Sequence, residues 1–206
     1  MVAIIGFGSL LSEASARSTF GADVRNFRLA TVLDYRRVFA HPASIFFQRG
    51  IANLETKEIA SLSTEPAPGC KFLVSVFDIP SELLPDFYER EEEFKIISAK
   101  FQELDGSIGA EALMCTRWSD EKYIVKRGQE TFDTKYKTYG LGTIWGWDAK
   151  SGILPCRVWQ NKLKIFAMIC MLNDNYVELI HVLGECPGVP SSLSAGCQEA
   201  RPERLR

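Results

Sequence analysis

FLVSVFDIPSELLPDFYEREEEF, residues 72–94, decides how the rest of the chain is read. Its first eight residues, Phe72 to Ile79, are almost continuously apolar, as in a strand buried on both faces. Pro80 closes that run. From Ser81 onward the apolar positions recur at helical spacing. Leu83, Leu84, Phe87, Tyr88 and Phe94 fall on one side when successive residues advance by about 100°. Ser81 suits an N-cap, and Glu82 and Asp86 put negative charge near the positive end of the dipole. Pro85 falls in the first turn, where N–H groups lack intrahelical partners. Glu91 then lies roughly 20° from Leu84, in the middle of the apolar arc. Glu89, Arg90, Glu92 and Glu93 fall outside it. A carboxylate aimed at a core acquires fixed partners or a raised pKa, and such groups gather at functional sites. The alternative is a frayed last turn that leaves Glu91 in a solvated acidic run, the common fate of glutamate.

Strands dominate on either side. Val2 to Ile5 is a short apolar run ending at Gly6, and Leu29 to Phe39 alternates like a strand. Ile51–Leu54 and Ile59–Leu62 are short strand candidates, with Glu65-Pro66-Ala67-Pro68-Gly69 breaking the chain before Phe72. Lys95–Phe101 and Ala110–Arg117 pair around Asp105-Gly106-Ser107. Ser12 caps a helix to Arg17. Residues 118–139 read as a long polar excursion, 142–147 and 156–159 as short β-segments or turns, and 160–172 and 175–183 as helices. The expected fold is α+β: a small mixed, strongly curved sheet or barrel with flanking helices. Residues 1–184 are expected to form one domain and 185–206, rich in Pro, Gly, Ser and Arg, a disordered tail.

Composition narrows the function. A chain of 206 residues, 46% hydrophobic, suffices for one proper core. A net charge of −2 without a basic, aromatic-laced patch gives no reason to expect nucleic acid. No apolar run approaches the roughly 20 residues of a membrane span, and no positive n-region precedes the first strand. The expected location is cytoplasmic. Six cysteines contain no C-x-x-C pair, and only His41 and His181 could join them, so no metal site is expected. Cys70, Cys115, Cys156 and Cys170 read as small core residues in a reducing compartment. His41 and His181 read as structural, which leaves little for Ser-His or Cys-His catalysis. Arg17 and Arg49 are expected at the surface.

Gly6-Phe7-Gly8-Ser9-Leu10-Leu11 begins like a dinucleotide fingerprint, but Leu11 stands where the third glycine belongs and no βαβ unit follows. Beside a nucleotide-binding oxidoreductase, which those departures disfavour, two readings stand: a tight turn that needs positive φ at Gly6 or Gly8, and a nest of backbone N–H groups, joined by the Ser9 hydroxyl, for a small anionic group.

Phe7-Gly8-Ser9-Leu10 resembles the Tyr-Gly-Ser-Asn or Tyr-Gly-Ser-Leu loop of γ-glutamylcyclotransferase-like proteins. Tyr88-Glu89-Arg90-Glu91 resembles that family's Leu-Asp-x-Arg-Glu segment, and Ile153 to Trp159 resembles a Leu-Pro-x-x-x-Tyr segment. The order of elements agrees over about residues 2 to 184. Phe7 stands for the usual tyrosine, and Glu92 for the glycine that often follows the glutamate. The resemblance implies a cofactor-free enzyme that cyclises a small γ-glutamyl amide to 5-oxoproline, with Glu91 as catalytic acid/base. It implies substrate binding by Ile4, Ile5, Gly6, Phe7, Gly8, Ser9 and Leu10, and by a late tyrosine, Tyr136 or Tyr139. The departures leave open a catalytically silent member that binds a small anionic ligand or a protein. Oligomeric state has no signature.

Overall fold

The computed structural model describes residues 1–148 and 150–157. Five strands close a mixed barrel: β1 (Val2–Gly6), β2 (Arg25–Pro42), β3 (Glu58–Ile79), β4 (Lys95–Glu103) and β5 (Ile108–Thr116), in the order β1-β5-β4-β2-β3 with β3 returning to β1. Only β1 and β5 pair in parallel within the barrel. A two-residue strand, β6 (Leu154–Pro155), lies parallel to the start of β3. The expected α+β barrel with flanking helices is therefore observed. Val32, Phe72, Val74, Val76, Phe77, Phe101 and Met114 belong to one buried apolar cluster built on both faces of these strands. Phe20 from α1 (Glu13–Phe20) and Phe87 from α3 (Leu84–Arg90) pack on that core.

The largest departure from the sequence reading is β3. It runs unbroken for 22 residues through Pro66 and Pro68, where a break was expected. The ladder with β2 jumps from Leu33↔Lys71 to Tyr35↔Pro66, leaving 67–70 opposite Asp34 alone. Asp34 takes φ 61° and Gly69 φ 78°, and the Gly69 N–H donates to Asp34 Oδ1 at 2.8 Å. Prolines, which cannot donate to a ladder, are accommodated at such a bulge. The separate strand expected at 51–54 is a single bridge, Asn53↔Glu58.

Residues 118–139 are also not a polar excursion. They form α4 (Asp120–Arg127), α5 (Gln129–Lys135) and a 3₁₀ turn, Lys137–Tyr139. Ser119 caps α4 by accepting from the Lys122 N–H. With α2 (Ser44–Gln48) and the segment 141–147 they enclose a second apolar cluster containing Phe47, Tyr123, Phe132, Tyr136, Ile144 and Trp145. Asp120 ties that segment down, accepting from the Ile144 and Trp145 N–H groups at 3.0 and 2.8 Å. Cys70, Cys115 and Cys156 are buried as expected. Cys115 is a free thiol, but Cys70 is disulfide-bonded, against the expectation of reduced cysteines. No helix among the described residues is long and apolar enough to cross a membrane. The helices read at 160–172 and 175–183, His181, Cys170 and the tail at 185–206 lie outside the described residues.

Candidate functional site

The loop after β1 is built by crowding. Neither Gly6 nor Gly8 has positive φ, which corrects the tight-turn reading; Gly8 lies at φ −114°. Gly6 is glycine because a Cβ there would sit 2.6 Å from Ser75 Oγ and 2.7 Å from both Leu10 Cβ and the Leu10 carbonyl oxygen. The Ser75 hydroxyl donates to that carbonyl at 2.7 Å, folding the loop back on β3. Arg37 fixes the other side. Its Nε donates to the Phe7 carbonyl at 3.3 Å and its terminal nitrogen to the Leu73 carbonyl at 2.5 Å, while the guanidinium lies 4.5 Å over the Phe72 ring. Burial lowers its pKa to about 9. Ser9–Leu11 forms a 3₁₀ turn. The first N–H groups of such a turn have no partner within it. Those of Gly8, Ser9 and Leu10 donate to no acceptor among the described residues.

The helix carrying the acidic run starts and ends differently from its sequence reading. Ser81–Leu83 is a 3₁₀ turn, so Leu83 occupies the N-cap of α3 and Ser81 makes no capping bond. At the other end α3 stops at Arg90, and Glu91 is its C-cap at φ −97°, ψ 34°. Glu92 and Glu93 therefore leave the helical spacing and turn inward as well. The side chains of Glu91, Glu92 and Glu93 are 16%, 12% and 10% exposed. Burial alone does not single out Glu91; partners do. Glu92 pairs with Lys135 and lies 3.9 Å from Arg127. Glu93 Oε1 accepts from the Ser44 N–H at 2.7 Å and the Tyr136 hydroxyl at 2.5 Å. Glu91 Oε1 accepts from Arg90 Nε at 2.9 Å, and the Cys115 thiol lies beside the same carboxyl.

Protonation separates them further. Burial raises the Glu91 pKa, Arg90 offsets part of that rise, and the charge on Glu93 adds to it. Burial also acts on Glu93, but His41, the Tyr136 hydroxyl and the Ser44 N–H outweigh it and hold that carboxyl below its usual range. Two neighbouring carboxyls pushed in opposite directions are a recurring arrangement for acid–base work. The Cys115 thiol is pushed up by burial and then by the charge on Glu91. It is a poor nucleophile in that state.

Loop and glutamate meet in one cavity of about 660 Å³, lined by Ile5, Gly6, Phe7, Gly8, Ser9 and Leu10 on one side and by Arg90, Glu91 and Glu93 on another. Arg90 joins the two sides. It pairs with Glu91, donates to the Ser9 hydroxyl at 3.2 Å and reaches Thr19 Oγ1 on α1. Of the residues singled out in the sequence, Ile4 lies in the core rather than on the cavity wall. Tyr136 and Tyr139 do not line it either; Tyr136 is fully buried behind Glu93, and Tyr139 packs on Phe47. Arg17 is at the surface with Glu13. Arg49 is exposed but lines the cavity. The sequence reading missed Glu93, Ser44 and the bridging role of Arg90. Extending the helix to Phe94 turned Glu93 outward, and nothing local announces Ser44 as its partner.

No family model and no curated protein matches the chain. Among solved structures it is similar to an uncharacterized protein from Homo sapiens, at 15% identity and TM-score 0.44, over 68% of this chain and 87% of that one. It is similar to a gamma-glutamyl cyclotransferase at 12% identity and TM-score 0.43, over 68% and 87%. A protein from Arabidopsis thaliana matches at 12% identity and TM-score 0.42, over 68% and 91%. Similarity at this level assigns neither family nor activity.

Proposed function

We propose that this chain cyclises a γ-glutamyl amide to 5-oxoproline and releases the amine. The observation that carries the reading is the shared cavity, in which the mostly buried, proton-attracting carboxylate of Glu91 accompanies the amides of Gly8, Ser9 and Leu10, which have no partner among the described residues. At neutral pH the substrate's α-amino group is an ammonium and cannot attack. Glu91 takes one proton, and the freed amine forms a bond to its own γ-carbonyl carbon. The resulting oxyanion is held by the loop amides. The carbon–nitrogen bond to the leaving amine breaks as Glu91 returns the proton to that nitrogen. Glu91 then carries the second surplus proton from the ring nitrogen to the released amine in the same way, so the lactam keeps one N–H, the amine departs as an ammonium and Glu91 finishes as it began. A reaction inside one molecule needs the substrate folded more than it needs a covalent intermediate. A carboxylate raised toward the working pH is the matching acid–base group.

The test is 5-oxoproline release from glutathione, γ-glutamyl amino acids and γ-glutamyl amines by wild type and Glu91→Gln. Turnover by wild type and its loss in the variant are expected; equal turnover by both removes Glu91 from the chemistry. Arg49 favours a second reading, a silent binder of small anions, because it lines the cavity without a carboxylate partner among the described residues. Thermal stabilisation by glutarate with no turnover of any γ-glutamyl compound would select that reading.

A further inference from the structure

Four glutamates line the cavity: Glu89, Glu91, Glu92 and Glu93. Three have a guanidinium or ammonium partner, respectively Arg127 at 2.7 Å, Arg90 at 2.9 Å and Lys135. Glu93 has none among the described residues. Its nearest basic group is the His41 ring, with Nε2 3.6 Å from Oε2, beyond hydrogen-bond reach. That ring is fully buried between Trp145 and Phe94, and neither of its nitrogens has a hydrogen-bond partner. Glu93 Oε1 is occupied by Ser44 and Tyr136, which fixes the plane of the carboxylate. Oε2 receives no hydrogen bond from a described residue, although nine-tenths of the side chain is out of solvent. Oε2 thus faces the His41 ring at 3.6 Å and the cavity, and a rigid, largely buried carboxylate without a guanidinium or ammonium partner has room for a cationic group there.

We infer that Glu93 Oε2 receives the α-ammonium group of the substrate, leaving Glu91 to carry the proton. The inference rests on the cyclisation reading and names the feature that admits a substrate: a free α-amino group. One carboxylate cannot do both tasks well, because it loses its charge, and with it its hold on the ammonium, when it accepts the proton. His41, the Tyr136 hydroxyl and the Ser44 N–H all favour the charged form of Glu93. An ammonium has three N–H donors and can address both carboxylates at once. The ionised Glu93 also makes Glu91 the better base. N-acylated and des-amino analogues lack the group that Glu93 would bind.

The test separates the inference from the reading it rests on. In the Glu91→Gln background, which should bind without turning over, calorimetry compares γ-glutamylalanine with glutarylalanine, which differs only in lacking the α-amino group. A charge-assisted hydrogen bond corresponds to a preference of about tenfold or more for the amine-bearing ligand. Adding Glu93→Gln should bring that ratio to about one, since the amide oxygen still serves Ser44 and Tyr136. A fold defect would weaken both ligands together and leave the ratio standing. A preference unchanged by Glu93→Gln, or no binding of either ligand, overturns the role given to Glu93. Failure of the cyclisation reading itself is seen elsewhere, as a wild type that releases no 5-oxoproline from γ-glutamylalanine or glutathione. In an active protein, Glu93→Gln alone should raise KM more than it lowers kcat; an unchanged KM also counts against the assignment.

Discussion

Gly6→Ala tests the loop with one methyl group and does not depend on any substrate. The new Cβ would fall 2.7 Å from the Leu10 carbonyl oxygen and 2.6 Å from Ser75 Oγ, where ordinary contact begins at 3.4 Å. Ser75 can rotate its hydroxyl away, but Leu10 O is backbone and Leu10 Cβ is fixed to it. The loop must therefore retreat by about 0.7 Å, and the bond from Ser75 to Leu10 lengthens with it. Overpacking of this kind costs about 1–3 kcal/mol. For a chain of this length that is a fall in Tm of about 2–12 °C. The same retreat displaces the Ser9 and Leu10 amides, and misplacement approaching an ångström can cost about 100-fold in rate. Differential scanning calorimetry and 5-oxoproline release measure the two effects. Wild-type Tm and wild-type turnover in Gly6→Ala would refute the crowding argument. A lowered Tm with unchanged turnover would keep the crowding and remove the loop amides from the reaction.

Glu91→Gln should be more stable than wild type above neutral pH, with the difference shrinking toward pH 4. A carboxyl whose folded pKa is raised contributes stability below its unfolded pKa and loses it as pH rises through the folded value. Tm measured at pH 4, 6 and 8 checks the sign, and a constant difference would contradict it. Arg90→Met removes the cation that offsets the burial of Glu91 and frees Ser9 and Thr19. The acid limb of kcat/KM should move to higher pH, visible in a pH–rate profile; a limb that stays or moves down refutes the pairing. Asp120→Ala strands the Ile144 and Trp145 N–H groups, at about 1–3 kcal/mol each where they stay dry. Urea denaturation should show that loss, and wild-type stability would mean the segment is held by something else. Tyr136→Phe removes one of the two donors to Glu93 Oε1 among the described residues and should cost about 1.5–3 kcal/mol for a bond to a charged group. Glu93 has a lowered folded pKa, so that cost should fade as acid protonates it. The same denaturation series at pH 7 and at pH 3 measures this.

What could be read from the sequence was local. The β4–β5 hairpin announces itself through Asp105-Gly106-Ser107 and two apolar runs within 22 residues of one another. The Phe7–Leu10 loop and Glu91 could be found because each depends on a few consecutive positions. The continuity of β3 could not, because what carries it past Pro66 and Pro68 is Asp34 on another strand. Helices α4 and α5 were more accessible than their polar composition suggests. Ser119 followed by Asp120 and Glu121 is an N-terminal signature, and Tyr123, Phe132 and Tyr136 mark the inward side. The partners of the acidic run lie about 40 to 50 residues away, in Ser44 and Lys135, and no local pattern connects them.

That acidic run also shows why the end of α3 matters more than its beginning. Consecutive residues of a helix point about 100° apart, so a helix continuing to Phe94 would bury one of Glu91, Glu92 and Glu93 and expose the others. Ending it at Arg90 lets all three turn into the protein. Three adjacent carboxylates, one buried and two mostly so, demand compensation, since like charges at close range raise one another's pKa. Lys135 and Arg127 balance Glu92. The His41 ring, the Tyr136 hydroxyl and the Ser44 N–H hold the Glu93 carboxyl below its usual range, and none of the three is a guanidinium or an ammonium. Arg90 meets Glu91 but also serves Ser9 and Thr19, and it does not bring the pKa of Glu91 back down. The charge left unbalanced is thus one carboxylate held ionised beside one that readily takes a proton, both on the wall of the cavity that holds the loop. A cationic group entering that cavity would complete the balance, and an ammonium that gives up a proton there meets both requirements.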